Sequence, residues 1–323
     1  MKKILLPVIV VAVCSCAFFM ACKQSTQPGS GNTYYPTFLT INYLNGNVYA
    51  AADSGTYVTT NNGGNWTAVN NGLPNTSLEA FGMVGNTVVA GLRTGGVYVT
   101  TNTGATWTAF NTGLGANPVT GFATIGNNLF AATTGGVYVT TSTNGTMTSW
   151  TAVSNGLGDM IVRALIANNG NLYAGTADSG VYISTNNGAS WKLVTDGVFA
   201  PDVSLHGLAA NGTAIFALFN YVPYRSTNNG SSWQDISYGL PNNGDIAGSI
   251  TVSGNDVIVG MDGSGLYFSS DNGNNWTAMN NGYTALYTYS LTAGNGNIFV
   301  GTGSGIFLST NNGTTWTAVN NGL

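Results

Sequence analysis

Ser184-Thr185-Asn186-Asn187-Gly188-Ala189-Ser190-Trp191 sets a hydroxyl, two amides and a glycine ahead of a tryptophan. Asn and Gly tolerate positive φ, and Ser and Asn side chains bond nearby backbone N–H groups, so the stretch reads as a tight turn that delivers Trp191 into a strand. Just upstream, Val181-Tyr182-Ile183-Ser184 has the β-branched and aromatic alternation of a half-buried strand. Residues 161–167 and 172–176 read as two earlier strands, joined by the hairpin turn Asn168-Asn169-Gly170-Asn171. Asp178-Ser179-Gly180 makes the turn after the second strand, and residues 191–194 form the fourth.

The unit recurs. The seven tryptophans, Trp66, Trp107, Trp150, Trp191, Trp233, Trp276 and Trp316, are spaced by 41, 43, 41, 42, 43 and 40 residues. Six residues after each stands a glycine, from Gly72 to Gly322, and three residues before it another in every copy but the third, where Gly145 lies five before Trp150. A period of about 40 to 45 residues admits helical solenoids or propeller blades of four strands. Units rich in Thr, Val, Tyr, Asn and Gly exclude the helical option, which needs Ala, Leu, Glu and Lys. The chain is therefore expected to be all-β: a seven-bladed β-propeller of four-stranded antiparallel blades over residues 38–323, each blade built from consecutive residues. The ring then closes by packing between blades seven and one, unless Tyr34-Tyr35 adds a strand.

The turn stretches, with Ser226-Thr227-Asn228-Asn229-Gly230-Ser231-Ser232-Trp233 and Ser309-Thr310-Asn311-Asn312-Gly313-Thr314-Thr315-Trp316, resemble the Asp-box or bacterial neuraminidase repeat, Ser/Thr-x-Asp-x-Gly-x-x-Trp. The resemblance implies a turn between the third and fourth strands of a blade. Only the sixth copy keeps the acid, as Asp271; Asn61, Asn102, Asn186, Asn228 and Asn311 replace it elsewhere. Either side-chain oxygen accepts backbone N–H bonds without needing a charge, so the box reads as structural. Neutral amides in five copies supply too few carboxylates for a hard cation, and no metal or cofactor is expected. The family spans sialidases, other glycosidases, sorting receptors and a photosystem II assembly factor, so the fold alone does not assign a function.

Charge narrows the choice. Of 323 residues, 7 are Lys or Arg, 11 are Asp or Glu and 1 is His, a charged fraction of 6% with a formal charge of −4. Such a chain has no basic surface for phosphates, and nucleic acid is excluded as a partner. A hydrophobic fraction of 43% suits a packed core rather than disorder. All three cysteines, Cys14, Cys16 and Cys22, fall in the first 22 residues, which excludes thiol chemistry from the body. Lys2-Lys3 followed by the apolar residues 4–21 has the form of a secretory signal, with an uncleaved anchor as the alternative. Ala21-Cys22 before a polar run resembles the end of a bacterial lipoprotein signal, which implies lipidation at Cys22; Cys16 fits the pattern formally as well. The expected organisation is a signal peptide over 1–21, a lipidated N-terminus and flexible tether over 22–37, then the propeller. The protein would sit in the cell envelope as a monomer, held to a membrane through the lipid only.

Sialidases of the resembled family use three arginines, a tyrosine nucleophile with a glutamate, and an aspartate. The body has Arg93, Arg163 and Arg225, yet Arg225 directly precedes a box, which puts it at the opposite end of the ring from Arg93 and Arg163. Glu79 is the only glutamate, and no Arg-Ile-Pro signature is present. A general glycosidase needs two suitably spaced carboxylates; Asp53, Glu79, Asp159, Asp178, Asp202, Asp245 and Asp262 all lie at the end bearing the loops after second and fourth strands. His206 reads as a hydrogen-bonded structural residue in a first strand. Departures from the repeat at that same end mark candidate ligand contacts: Phe199 and Asp202, Tyr221 and Tyr224, and Tyr283 and Tyr287 beside Arg93, Asp159, Arg163, Asp178 and Asp262. Of the aromatics, Tyr221 and Tyr283 are expected to be most exposed. The function expected is a non-catalytic binding module for glycan or protein, the alternatives being a glycoside hydrolase and an assembly scaffold for membrane proteins.

Overall fold

The computed structural model describes residues 38–74, 77–195 and 204–323. The leader, Cys22, the tether, Tyr34-Tyr35, Phe199 and Asp202 lie outside them. Within the described residues the chain forms seven four-stranded antiparallel sheets, each made of consecutive strands, and no helix. The result is a seven-bladed β-propeller. The first strands of neighbouring blades touch all the way round, blade seven to blade one included, so they line the central channel. They run Phe38–Leu44, Leu78–Val84, Val119–Ile125, Val162–Asn168, Leu205–Ala210, Ile246–Ser253 and Thr288–Gly294.

Local chemistry accounts for each blade. In blade four, Asn169 and Gly170 both take positive φ (50° and 78°), the conformation of a two-residue hairpin turn. The second strand, Asn171–Thr176, is buried along nearly its whole length, which is why it reads as a continuous apolar run rather than an alternation. The fourth strand is shorter than expected, only Lys192–Leu193, and all seven fourth strands have two residues. These outermost strands are edges, and two paired residues leave little template for another chain.

The core lies between blades. Each indole N–H donates to a main-chain carbonyl of the preceding blade, from Trp107 to Val69 (2.9 Å) through Trp316 to Met279 (2.6 Å). In blade one the preceding blade is the seventh: Trp66 donates from Nε1 to Val319 (2.7 Å) and from its backbone N–H to Asn321 (2.8 Å). Trp107 bonds Asn71 in the same way (2.9 Å), so the seam at Trp66 repeats an ordinary joint. In five of the copies the glycine six residues after the tryptophan serves this approach. Gly72 and Gly322 have φ of 91° and 92°, and a Cβ on either would fall on the carbonyl oxygen of Trp107 or Trp66.

The turn before six of the seven tryptophans is a closed set of hydrogen bonds. Gly188 N–H donates to Ser184 Oγ (2.8 Å), while Asn186 Oδ1 accepts from Ser184 Oγ (2.9 Å) and from Ser190 N–H (2.9 Å). Asp271 makes the same bonds from Ser269 and Asn275 and is held down to about 2, chiefly by Asn275. In blade three the shifted glycine rebuilds the turn around a Thr143–Thr146 bridge, and Thr140 Oγ1 is left buried without a partner.

Candidate functional site

Every first strand slips register at the same point near its start, where one residue is left unpaired between two that pair with the second strand. These bulged residues are Leu39, Glu79, Thr120, Arg163, His206, Gly248 and Tyr289. A bulge bends its strand and re-aims the extra side chain. Here it does so at one end of the channel, the end carrying the loops after second and fourth strands. Glu79, Thr120, Arg163 and His206, from four successive blades, line a single cleft of about 190 Å³ with Leu205.

The chemistry of the mouth differs from blade to blade. Glu79 pairs with Arg93 at 3.5 Å, and burial raises its carboxyl against the pull of that guanidinium. Arg163 has no hydrogen-bond or ion-pair partner among the described residues. Burial and, secondarily, the charge of Arg163 push His206 down to about 4, so its imidazole is neutral near pH 7. Tyr221 stacks on that imidazole with ring centroids 3.7 Å apart and planes 20° apart. To do so it takes φ of 65°, an uncommon conformation for a bulky residue, in a turn with Asn220 (φ 47°). The turn is held by Asn220 N–H to Ser204 O (2.9 Å), and Tyr221 O accepts from Ala247 N–H of the next blade (3.2 Å).

Blade six substitutes position. Its bulged residue is Gly248, and the Asp262 carboxylate lies where a side chain would stand. Burial raises the Asp262 carboxyl, the Thr288 N–H opposes this, and nearby Asp245 adds to it. Asp245 is itself bound by Asn243 Nδ2 (3.0 Å) and Ser264 Oγ. Asp159 is a loop staple: one oxygen accepts Ile161 N–H (2.9 Å) and the other Asp178 N–H (3.0 Å). Asp178 itself is exposed.

Two aromatic expectations need correction. Tyr283 is only 7% exposed; it packs edge-on against Phe307, 5.1 Å away, and tilted against Trp316, and its hydroxyl bonds Thr288 Oγ1 (2.8 Å). It plugs the space between blades rather than facing a ligand. Tyr224 lies within the third strand of blade five, half-buried against Phe219, away from the mouth. Tyr221 (38%) and Tyr287 (52%) are exposed at the mouth end. Arg225 lies at the other end, bonding the Asn272 carbonyl in the turn before Trp276 (2.8 Å), so the three arginines do not converge.

Sequence reasoning missed the ring of bulges, although a signal exists. Aligning the copies on their tryptophans puts Leu39, Glu79, Thr120, Arg163, His206, Gly248 and Tyr289 27 to 30 residues upstream. In each copy the residue before is buried and the residue after is small. A larger cleft of about 430 Å³ follows the rebuilt turn of blade three; its lining is Val139 with Thr and Ser residues and holds no ionisable group. Among the described residues no three His, Cys, Asp or Glu side chains gather as a metal site would require.

No family model matches the chain, and no curated protein matches it either. Solved structures share its fold. A GH74 xyloglucanase from Xanthomonas campestris aligns with a TM-score of 0.70 at 16% identity, over 90% of this chain and 55% of that one. The extracellular domain of a putative one component system from B. thetaiotaomicron aligns at 0.69 and 16% identity, over 85% and 38%. YCF48 bound to D1 peptide aligns at 0.67 and 15% identity, over 84% and 92%. The chain thus spans about half the xyloglucanase and less of the extracellular domain. At these identities the likeness is one of fold.

Proposed function

We propose that this is an exported, lipid-anchored propeller of the Asp-box type, whose channel-mouth end is a non-catalytic binding surface for glycan or protein. The observation that carries the reading is the ring of bulges: seven equivalent positions with seven unlike residues, among them Arg163, which has no partner among the described residues, and an aromatic platform held in a strained turn. Strain kept at one site is a common mark of a site in use. The carboxylates nearby are engaged: Glu79 by Arg93, Asp159 by two backbone N–H groups, Asp245 by Ser264 and Asn243. That arrangement favours recognition over acid/base work. The solved neighbours, which include a xyloglucanase, an extracellular domain of a putative one component system and a peptide-bound protein, are compatible with either ligand class in the cell envelope.

A glycan array and a pull-down with the purified protein test the assignment beside Arg163→Ala and Tyr221→Ala. Loss of the bound ligand in either variant supports it; unchanged binding in both removes the mouth from consideration. A glycosidase is the second reading, favoured by the raised carboxyl of Asp262 beside Asp245. Turnover of a polysaccharide by the purified protein, abolished in Asp262→Asn, would establish it instead. Anchoring is tested separately: Cys22→Ser should end incorporation of labelled fatty acid, whereas Cys16→Ser should not.

A further inference from the structure

The large apolar side chains that stand exposed among the described residues share one end of the ring. Met160 and Ile161 precede blade four, Tyr221 turns within blade five, Tyr238 follows it, Ile246 begins blade six, and Leu286, Tyr287 and Tyr289 introduce blade seven. All are at the mouth end. They form an arc over blades four to seven, and blades one to three contribute none. Scattered exposed apolar residues need no explanation, but eight confined to one arc do.

We propose that this arc docks a basic polypeptide segment, rich in Lys or Arg with apolar residues between. The proposal rests on the binding-module reading and names its partner. Three observations select that occupant. The exposed set mixes Tyr with Met, Ile and Leu; flat aromatic faces suit sugars as well as proteins, but exposed aliphatic side chains such as Leu286 (59%) have nothing to offer sugar hydroxyls and suit a protein interface. Among the described residues the arc's charges are Asp159, Asp178, Asp245 and Asp262 against Arg163 alone, with no lysine. The remaining described cations of the body lie elsewhere, Arg93 in blade two, Lys192 in a fourth strand and Arg225 at the far end. An acidic field steers a basic partner and repels acidic ones. Tyrosine rings beside carboxylates also receive ammonium and guanidinium groups by cation–π contact and charged hydrogen bonds.

The probe is a blocked synthetic peptide of roughly twelve residues, four Lys and four Leu spaced by Gly and Ser, read by fluorescence anisotropy at low salt beside its Glu-for-Lys counterpart. The Lys peptide should bind at least about tenfold more tightly than the Glu peptide, and less tightly as salt rises. The double variant Tyr238→Ser, Tyr287→Ser should weaken it about fivefold or more. Both side chains are exposed, 88% and 52%, so the fold survives their loss, which thermal unfolding verifies. Asp178→Asn with Asp245→Asn should weaken binding and flatten its salt dependence, whereas Asp256→Asn with Asp271→Asn at the opposite end should leave it unchanged. Equal binding of the two peptides, or equal weakening by mouth-end and far-end variants, overturns the proposal. A neutral oligosaccharide bound through Tyr238 and Tyr287 also overturns it while leaving the binding-module reading intact. Hydrolysis of that oligosaccharide would overturn the binding-module reading instead.

Discussion

The two ends of the ring are built from the same seven repeats and have opposite characters. At the end bearing the turns before the tryptophans, the same bonds recur: a Ser or Thr hydroxyl accepting from a glycine N–H, as at Gly63, Gly188 and Gly313, with an Asn or Asp oxygen closing the turn. At the mouth end, equivalent positions hold Leu, Glu, Thr, Arg, His, Gly and Tyr. Where a residue's work is to join one blade to the next, all copies need the same answer. Where the residue points into the channel mouth, the joint is already made at the tryptophans, even where, as at Thr120, the side chain also bonds the Val162 carbonyl of the next blade (2.6 Å), and the copies are free to differ. Divergence on a repeated scaffold therefore locates the site, and repetition locates the structural joints.

The largest effects should come from the joints. Trp66→Ala removes a buried indole and its bond to Val319 across the seam; a loss of about 3 to 5 kcal/mol in urea unfolding is expected. Trp191→Ala should cost a similar amount, since the seam is an ordinary joint. A much smaller loss at Trp66 would show that the ring closes by other means. Next, Gly322→Ala adds a Cβ against the Trp66 carbonyl at φ 92° and should cost about 2 to 4 kcal/mol, whereas Gly46→Ala, at φ 81° with open space around it, should cost only about 1 kcal/mol. Asn186→Ala should cost about 1 kcal/mol by leaving the Ser190 N–H without its acceptor, while Asn186→Asp should stay within about 0.5 kcal/mol of the parent.

Acid separates the ends without mutating a joint. The unfolded chain takes up a proton on His206 near its ordinary value of 6.5, but the folded mouth resists until about 4. Stability should therefore fall as pH drops from 6.5 to 4, and His206→Gln should flatten that limb. Asp271 acts in the same direction, by a different cause and lower in range: hydrogen bonds favour its carboxylate in the fold, so its contribution is present above 3.8 and is lost as pH falls towards 2. The parent and Asp271→Asn should converge in unfolding midpoint over that interval. Loss of both limbs in one variant would mean that the two ends titrate as a single unit.

Much of the fold was legible because its cues are local. Asn169-Gly170 marks a hairpin whatever surrounds it, and the tryptophan spacing counts blades directly. The position of Arg225 followed from strand direction alone. The candidate site was legible only to the level of one end of the ring. Tyr283 sits in a loop that departs from the repeat, as Tyr221 does, yet one is plugged against Trp316 and the other stacks on His206. Nothing adjacent to either in the chain separates them, since their partners are 33 and 15 residues away. Asp159 reads as a free acid until Asp178 comes to rest against it.

Taken alone, the amino-acid order determined the number of blades, the four-strand unit, the turn chemistry and the scarcity of charge, because each is written within one repeat or in the repetition itself. Tertiary structure alone decided that seven bulges share a channel mouth, that Arg163 stands there without a partner among the described residues, that the exposed apolar side chains of those residues gather over blades four to seven, and that Trp66 meets Val319 to close the ring. These depend on residues from different blades meeting in space, and only the curvature of the closed ring brings them together.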